Sequence, residues 1–117
     1  ADIFDEELVD FELIKQHYGS DVTDILESFC DEVLRFLPRL EAAIENQEWK
    51  ALAADAHQFK GLVSVLCLEN LEQTMNDFQN QAKSGHDAEV KVTFLKLKTH
   101  ISSVVKYINR ALESEKL

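Results

Sequence analysis

Glycine and proline are nearly missing from this chain: 3 Gly and 1 Pro occur in 117 residues. That is about 3% of positions, where an average protein has roughly 12%. Sheets depend on turns, and turns draw on these two residues, so an all-β or nucleotide-binding α/β fold is not expected. Long apolar runs are missing too. None exceeds four residues, which argues against a transmembrane helix and a signal peptide. Only two cysteines occur, Cys30 and Cys67, isolated and far apart. They fit reduced thiols in a cytosolic core better than a disulfide framework. Bases are scarce, with 12 Lys+Arg against 22 Asp+Glu and a formal net charge of −10. The dense phosphates of nucleic acid and of anionic membranes would be repelled, so neither is expected as a partner.

What is present is a folding composition, 45% apolar, long enough for one modest core and one domain spanning residues 1–117. The charge is uneven. Residues 1–32 hold eleven acids and one base, Lys15, whereas residues 33–117 hold eleven of each. The excess acidity therefore lies in the N-terminal quarter. It reads either as a solvated face that aids solubility or as an edge that orients a partner.

Apolar residues recur with a period of 3.6 almost throughout. Phe4, Leu8, Phe11 and Ile14 mark a short first helix that stops near Gly19. Ser20 and Asp21 are placed to cap a second, which buries Val22, Leu26, Phe29, Val33, Leu37, Leu40 and Ile44. Pro38 falls inside it, so a kink is expected there. Trp49 opens a third helix with Leu52, Ala56, Phe59, Val63 and Leu66 inward. A fourth carries Leu71, Met75, Phe78 and Ala82 and ends near Ser84-Gly85. Asp87 is placed to cap the last, whose inner stripe is Val90, Phe94, Leu97, Ile101, Val104, Ile108 and Leu112. The spacing predicts helices over roughly 5–18, 20–46, 49–66, 68–84 and 87–114. Short connections make successive helices antiparallel. The expected fold is all-α: an antiparallel up-and-down four-helix bundle with an additional short N-terminal helix.

Function must be sought in a site, because bundles serve many roles. Stepping about 100° per residue along the third helix puts His57 about 160° from Phe59, close to straight out. Ala53, Ala54, Gly61 and Ser64 surround it, where an exposed face ordinarily carries long Glu or Lys chains. Glycine inside a helix costs roughly 1 kcal/mol relative to alanine, so Gly61 beside an exposed imidazole suggests clearance for a partner. Lys60 shares the face one turn on, and Lys50 lies two turns back. A largely uncharged imidazole is a competent nucleophile near neutral pH. If it takes a phosphoryl group, the added negative charge is offset by Lys60 and more weakly by Lys50.

The stretch Ala56-His57-Gln58-Phe59-Lys60-Gly61 resembles the His-x-x-Lys-Gly signature of histidine-containing phosphotransfer (HPt) domains. The resemblance extends to the short helix ending at Gly19, the Pro38 helix, the Glu48-Trp49 pair and the Leu71–Ala82 helix. It implies that His57 is phosphorylated, through its outer ring nitrogen. It also implies that Gln79, twenty-two positions later, holds the other nitrogen, with Lys60 and Gly61 as the lysine and close-approach glycine. Ser64, Ala53, Ala54 and Lys50 then belong to a docking surface around His57. One position departs from the family, which commonly has Gly where this chain has Cys67.

The resemblance implies a carrier that accepts a phosphoryl group on His57 from an aspartyl phosphate on one receiver domain and passes it to another. Its partners would be response-regulator receiver domains and a hybrid histidine kinase, and it would act as a cytoplasmic monomer. It would need no cofactor, since Mg²⁺ and the catalytic carboxylates sit on the receiver. Two other readings stand beside this one: a non-catalytic adaptor bundle, and the phosphotransfer fragment of a larger sensor kinase. Autonomous kinase activity is not expected, because the chain has no Gly-rich phosphate loop. His17, His86 and His100 read as ordinary histidines, since none falls at metal-ligand spacing.

Overall fold

The computed structural model describes residues 8–114, so the expected inward position of Phe4 lies outside the described residues. Five α-helices follow one another: α1 (Phe11–Tyr18), α2 (Val22–Glu45), α3 (Trp49–Ser64), α4 (Glu69–Ser84) and α5 (Asp87–Glu113). No strand occurs among the described residues. Helices α2 to α5 form an antiparallel four-helix bundle, because each connection is too short to let the next helix run alongside in the same direction.

One apolar stripe per helix makes the core. Leu26, Val33 and Leu40 of α2, Leu52, Phe59 and Val63 of α3, Leu71 and Phe78 of α4, and Leu97, Ile101 and Val104 of α5 are all essentially inaccessible. Burying each such side chain stabilises the fold by about 1.5–3 kcal/mol. Aromatic edges lock neighbouring helices: Phe36 meets Phe59 at 5.4 Å and 71°, and Phe78 meets Phe94 at 6.1 Å. At the end of the last stripe, Ala111 rather than Leu112 is buried, with Leu112 half-buried against the core. Burial pushes the Cys30 thiol up to about 11, with the neighbouring Asp31 carboxylate adding to the effect. It is a packed thiol, not a reactive one.

The short α1 lies across one end of the bundle. Asp10 caps it, accepting from the Leu13 N–H at 3.1 Å, and the chain before it, at Leu8, is bent rather than helical. Ile14 is buried, the Phe11 ring stacks on Tyr107 at 5.5 Å, and the Tyr18 hydroxyl donates to the Val65 carbonyl at 3.2 Å. Thus α1 is tied to α5 and to the end of α3.

Two expected caps are corrected. Ser20 and Asp21 lie in a single 3₁₀ turn, Gly19–Asp21, that feeds α1 directly into α2. Asp21 already has helical dihedrals (φ −84, ψ 0) and makes no side-chain cap bond. A capping side chain needs an extended backbone, and the continuous turn denies it one. At α5 the extended N-cap residue is His86, and Asp87 is already inside the helix. The end of α4 decides this: Gly85 turns left-handed (φ 66) and the His86 N–H returns to Gln81 O. Asp87 instead pairs with Lys91 at 3.2 Å.

Helix α2 passes through Pro38 without a break. Leu34, whose carbonyl loses its N–H partner to the proline ring, is exposed along with Pro38, so water reaches that carbonyl. The helix closes with the Glu48 N–H bonded back to Ala43 O at 2.9 Å, a Schellman end. That closure puts Gln47 at φ 53, where a non-glycine residue costs roughly 1–2 kcal/mol. Part of that gain is returned through the looser unfolded chain of a glycine. Gln47→Gly is therefore expected to stabilise the protein by roughly 0.5–1 kcal/mol. Urea denaturation checks this, with a raised midpoint and an unchanged slope expected.

Candidate functional site

The inward face of α3 determines what its outward face can present. Leu52, Ala56, Phe59 and Val63 are completely buried, which fixes the rotation of the helix and turns His57 to solvent, where it is exposed. The antiparallel neighbour α4 is set by its own buried residues Leu71, Met75, Phe78 and Ala82. These two stripes bring Gln79 alongside, with its amide Nε2 3.4 Å from His57 Nδ1. The outer edge of the ring, carrying Nε2, is left toward water.

Around that imidazole the surface is low. Ala54 and Gly61 are exposed and Ala53 is half-buried. A Cβ built on Gly61 would meet nothing within 4 Å, so no contact inside the fold requires glycine there. Ser64 turns its hydroxyl back onto the Gly61 carbonyl at 2.7 Å, which draws that side chain down to the helix. Lys60 is half-buried and Lys50 exposed, and neither makes an ion pair among the described residues. His57, Gln79, Gly61, Ser64, Ala53 and Ala54 thus share one surface. Lys60 flanks it, and Lys50 stands two turns away at the start of α3.

Cys67 stands just past the end of α3 at φ 56, exposed. The backbone there is left-handed, the conformation glycine adopts without strain. The family's usual glycine thus has a local reason, and the cysteine occupies the same bend at a cost of roughly 1–2 kcal/mol.

One feature of the site has no signal in the sequence. Arg39 of α2 reaches Asp55 of α3 at 2.7 Å while its guanidinium lies over the Phe36 ring, 4.9 Å from the centroid. Asp55 is the only carboxylate on α3, and that guanidinium matches its charge. A pairing across sixteen residues has no periodicity to betray it. The remaining histidines lie elsewhere. His86 sits 3.4 Å from Glu89, and burial lowers the His100 pKa from its ordinary value, leaving that ring uncharged at neutral pH. Among the described residues no three His, Cys, Asp or Glu groups converge as a metal site, and no helix is long and apolar enough to cross a membrane.

Comparison with known families gives one match: the family described as the Hpt domain, over residues 24–112. No curated protein and no solved structure matches the chain. The matched region is about three quarters of the sequence, runs from α2 through α5 and encloses both His57 and Gln79. The chain therefore belongs to the Hpt domain family, the histidine phosphotransfer domains of two-component phosphorelays.

Proposed function

We propose that His57 is the residue that carries the phosphoryl group, between an aspartyl phosphate on one receiver domain and the acceptor aspartate of another. The observation behind this reading is the 3.4 Å approach of the Gln79 amide to His57 Nδ1 beside an open Nε2 edge. Drawn with its nitrogen toward the ring, the amide donates to Nδ1 and leaves the imidazole proton on Nε2. A half-turn of the amide exchanges nitrogen and oxygen at that place. The oxygen then accepts from Nδ1–H, and Nε2 keeps a lone pair directed at solvent.

In that tautomer Nε2 attacks phosphorus. The N–P bond forms, the acyl phosphate O–P bond breaks, and its electron pair leaves on the donor aspartate. The ring becomes an imidazolium whose Nδ1 keeps its proton, donated in a hydrogen bond to the Gln79 oxygen, so no base is needed to remove it. Transfer onward reverses the electron flow: the second receiver's carboxylate attacks phosphorus, and neutral imidazole departs. Lys60, one turn along, offsets the charge of the carried group. The divalent cation and the carboxylates that hold it belong to the receiver. With a hybrid histidine kinase upstream, the exchange is cytoplasmic and the carrier acts as a monomer.

Incubation with receiver domains phosphorylated by acetyl phosphate tests this reading. Wild-type protein is expected to gain an acid-labile, base-stable phosphate, and His57→Gln to gain none. Label on His57→Gln would move the site elsewhere, and no label on wild type from any receiver would favour an adaptor. Lys60→Ala is expected to slow transfer about tenfold, the effect of one nearby partly buried charge. Gly61→Ala separates folding from function. It should stabilise the isolated protein by roughly 0.5–1 kcal/mol in thermal melts, since the position is open, while slowing transfer by obstructing the receiver's approach.

A further inference from the structure

A shallow recess of about 370 Å³ opens between α3 and α4, lined by Trp49, Lys50, Ala53, Ala82 and Lys83. It adjoins the site. Ala53 lies one turn before His57 and Lys83 one turn after Gln79, and on antiparallel helices both steps lead the same way. Its floor is apolar: Ala82 is buried, and Ala53 and Trp49 are half-buried. On its rim Lys50 and Lys83 are both exposed.

The two ammonium groups have no counter-charge among the described residues, whereas Lys15, Lys91 and Lys98 each hold a carboxylate. The only carboxylate of α3 is taken by Arg39. In a chain of net charge −10, two cations lining one recess over an apolar floor repel one another, and neither holds an ion pair among the described residues that would offset it. An incoming anion would reverse that repulsion.

Resting on the transfer reading above, we propose that the Lys50–Lys83 recess is a second anchor for the receiver domain. A carboxylate on the rim of the receiver's phosphoryl site enters between the two ammonium groups, and apolar atoms beside it cover Trp49 and Ala53. Receiver sites that hold a divalent cation are ringed by carboxylates, so the charges are complementary. A contact of this exposed, rim type governs encounter and docking rather than the chemical step.

The test uses the full chain and a tryptophan-free receiver domain, phosphorylated by acetyl phosphate for transfer or loaded with beryllofluoride for binding. Trp49, the single tryptophan, lies in the recess, so its emission should change on binding. A Lys50→Glu/Lys83→Glu variant should raise the half-saturating concentration for transfer about tenfold at low salt, with a far smaller loss of saturating rate, the part owed to the weak field of Lys50 at the carried group. That difference should shrink in about 1 M salt. Lys96→Glu/Lys106→Glu, the same charge change on α5, is the control for net charge. Equal half-saturation in the two double variants would overturn the proposal, as would a fall in saturating rate alone, which would place the lysines at the transferring group. Lysine-dependent binding of the beryllofluoride form without label on wild type would remove the transfer reading and keep the anchor. Neither binding nor label would remove both.

Discussion

The seam between α3 and α4 governs the molecule's chemistry. Two apolar stripes, Leu52-Ala56-Phe59-Val63 on one helix and Leu71-Met75-Phe78-Ala82 on the other, are fully withdrawn from water. Interiors packed to that density do not deform continuously, so the rotation of each helix has one solution. With both rotations set, an imidazole on α3 and an amide on α4 meet at the surface without a dedicated loop or pocket. The geometry of the candidate site is a by-product of core packing. A change deep in the seam would therefore be felt at the ring without touching it.

Charge completes what packing begins. The chain is strongly acidic, yet the outward face of α3 is not, because Arg39 reaches over from α2 to satisfy Asp55. That bond is charge-assisted and short, and stacking on Phe36 holds the guanidinium plane in place. Of the N-terminal acids among the described residues, Asp10 caps α1, Glu12 lies within it, Asp21 stands in the turn that follows, and Asp24, Glu27, Asp31 and Glu32 are exposed on the first half of α2. Segregation of this kind separates a strongly acidic region from a face whose lysines are left without ion pairs among the described residues.

Helix periodicity made most of the architecture legible, since nearly every inward position has an unambiguous 3.6-residue spacing. The exposure of His57 followed from the same arithmetic. Helix ends were less legible. Ser20, Asp21 and Asp87 carry capping side chains but stand where the preceding turn has already chosen the backbone, through the 3₁₀ turn at Gly19–Asp21 and the left-handed Gly85. Capping propensity is local, whereas the position of a cap is decided by how the previous element closes. Gln79 was reachable only through the family's spacing, because the rotation of α4 relative to α3 is a tertiary quantity. Arg39–Asp55 and the recess at Lys83 had no signal at all: each depends on which helices become neighbours.

The imidazole stands on the outward side of α3, with low side chains around it and the Gln79 amide of α4 beside it. Such a perch seats one globular visitor at a time, so donor and recipient cannot be bridged simultaneously. If His57 is the carrier proposed above, relay through such a surface proceeds by exchange of visitors, and its tempo is bounded by how quickly the first departs. On that reading the molecule between visits would be a loaded capacitor, with competition among visitors, rather than any moving part, deciding where the charge goes next.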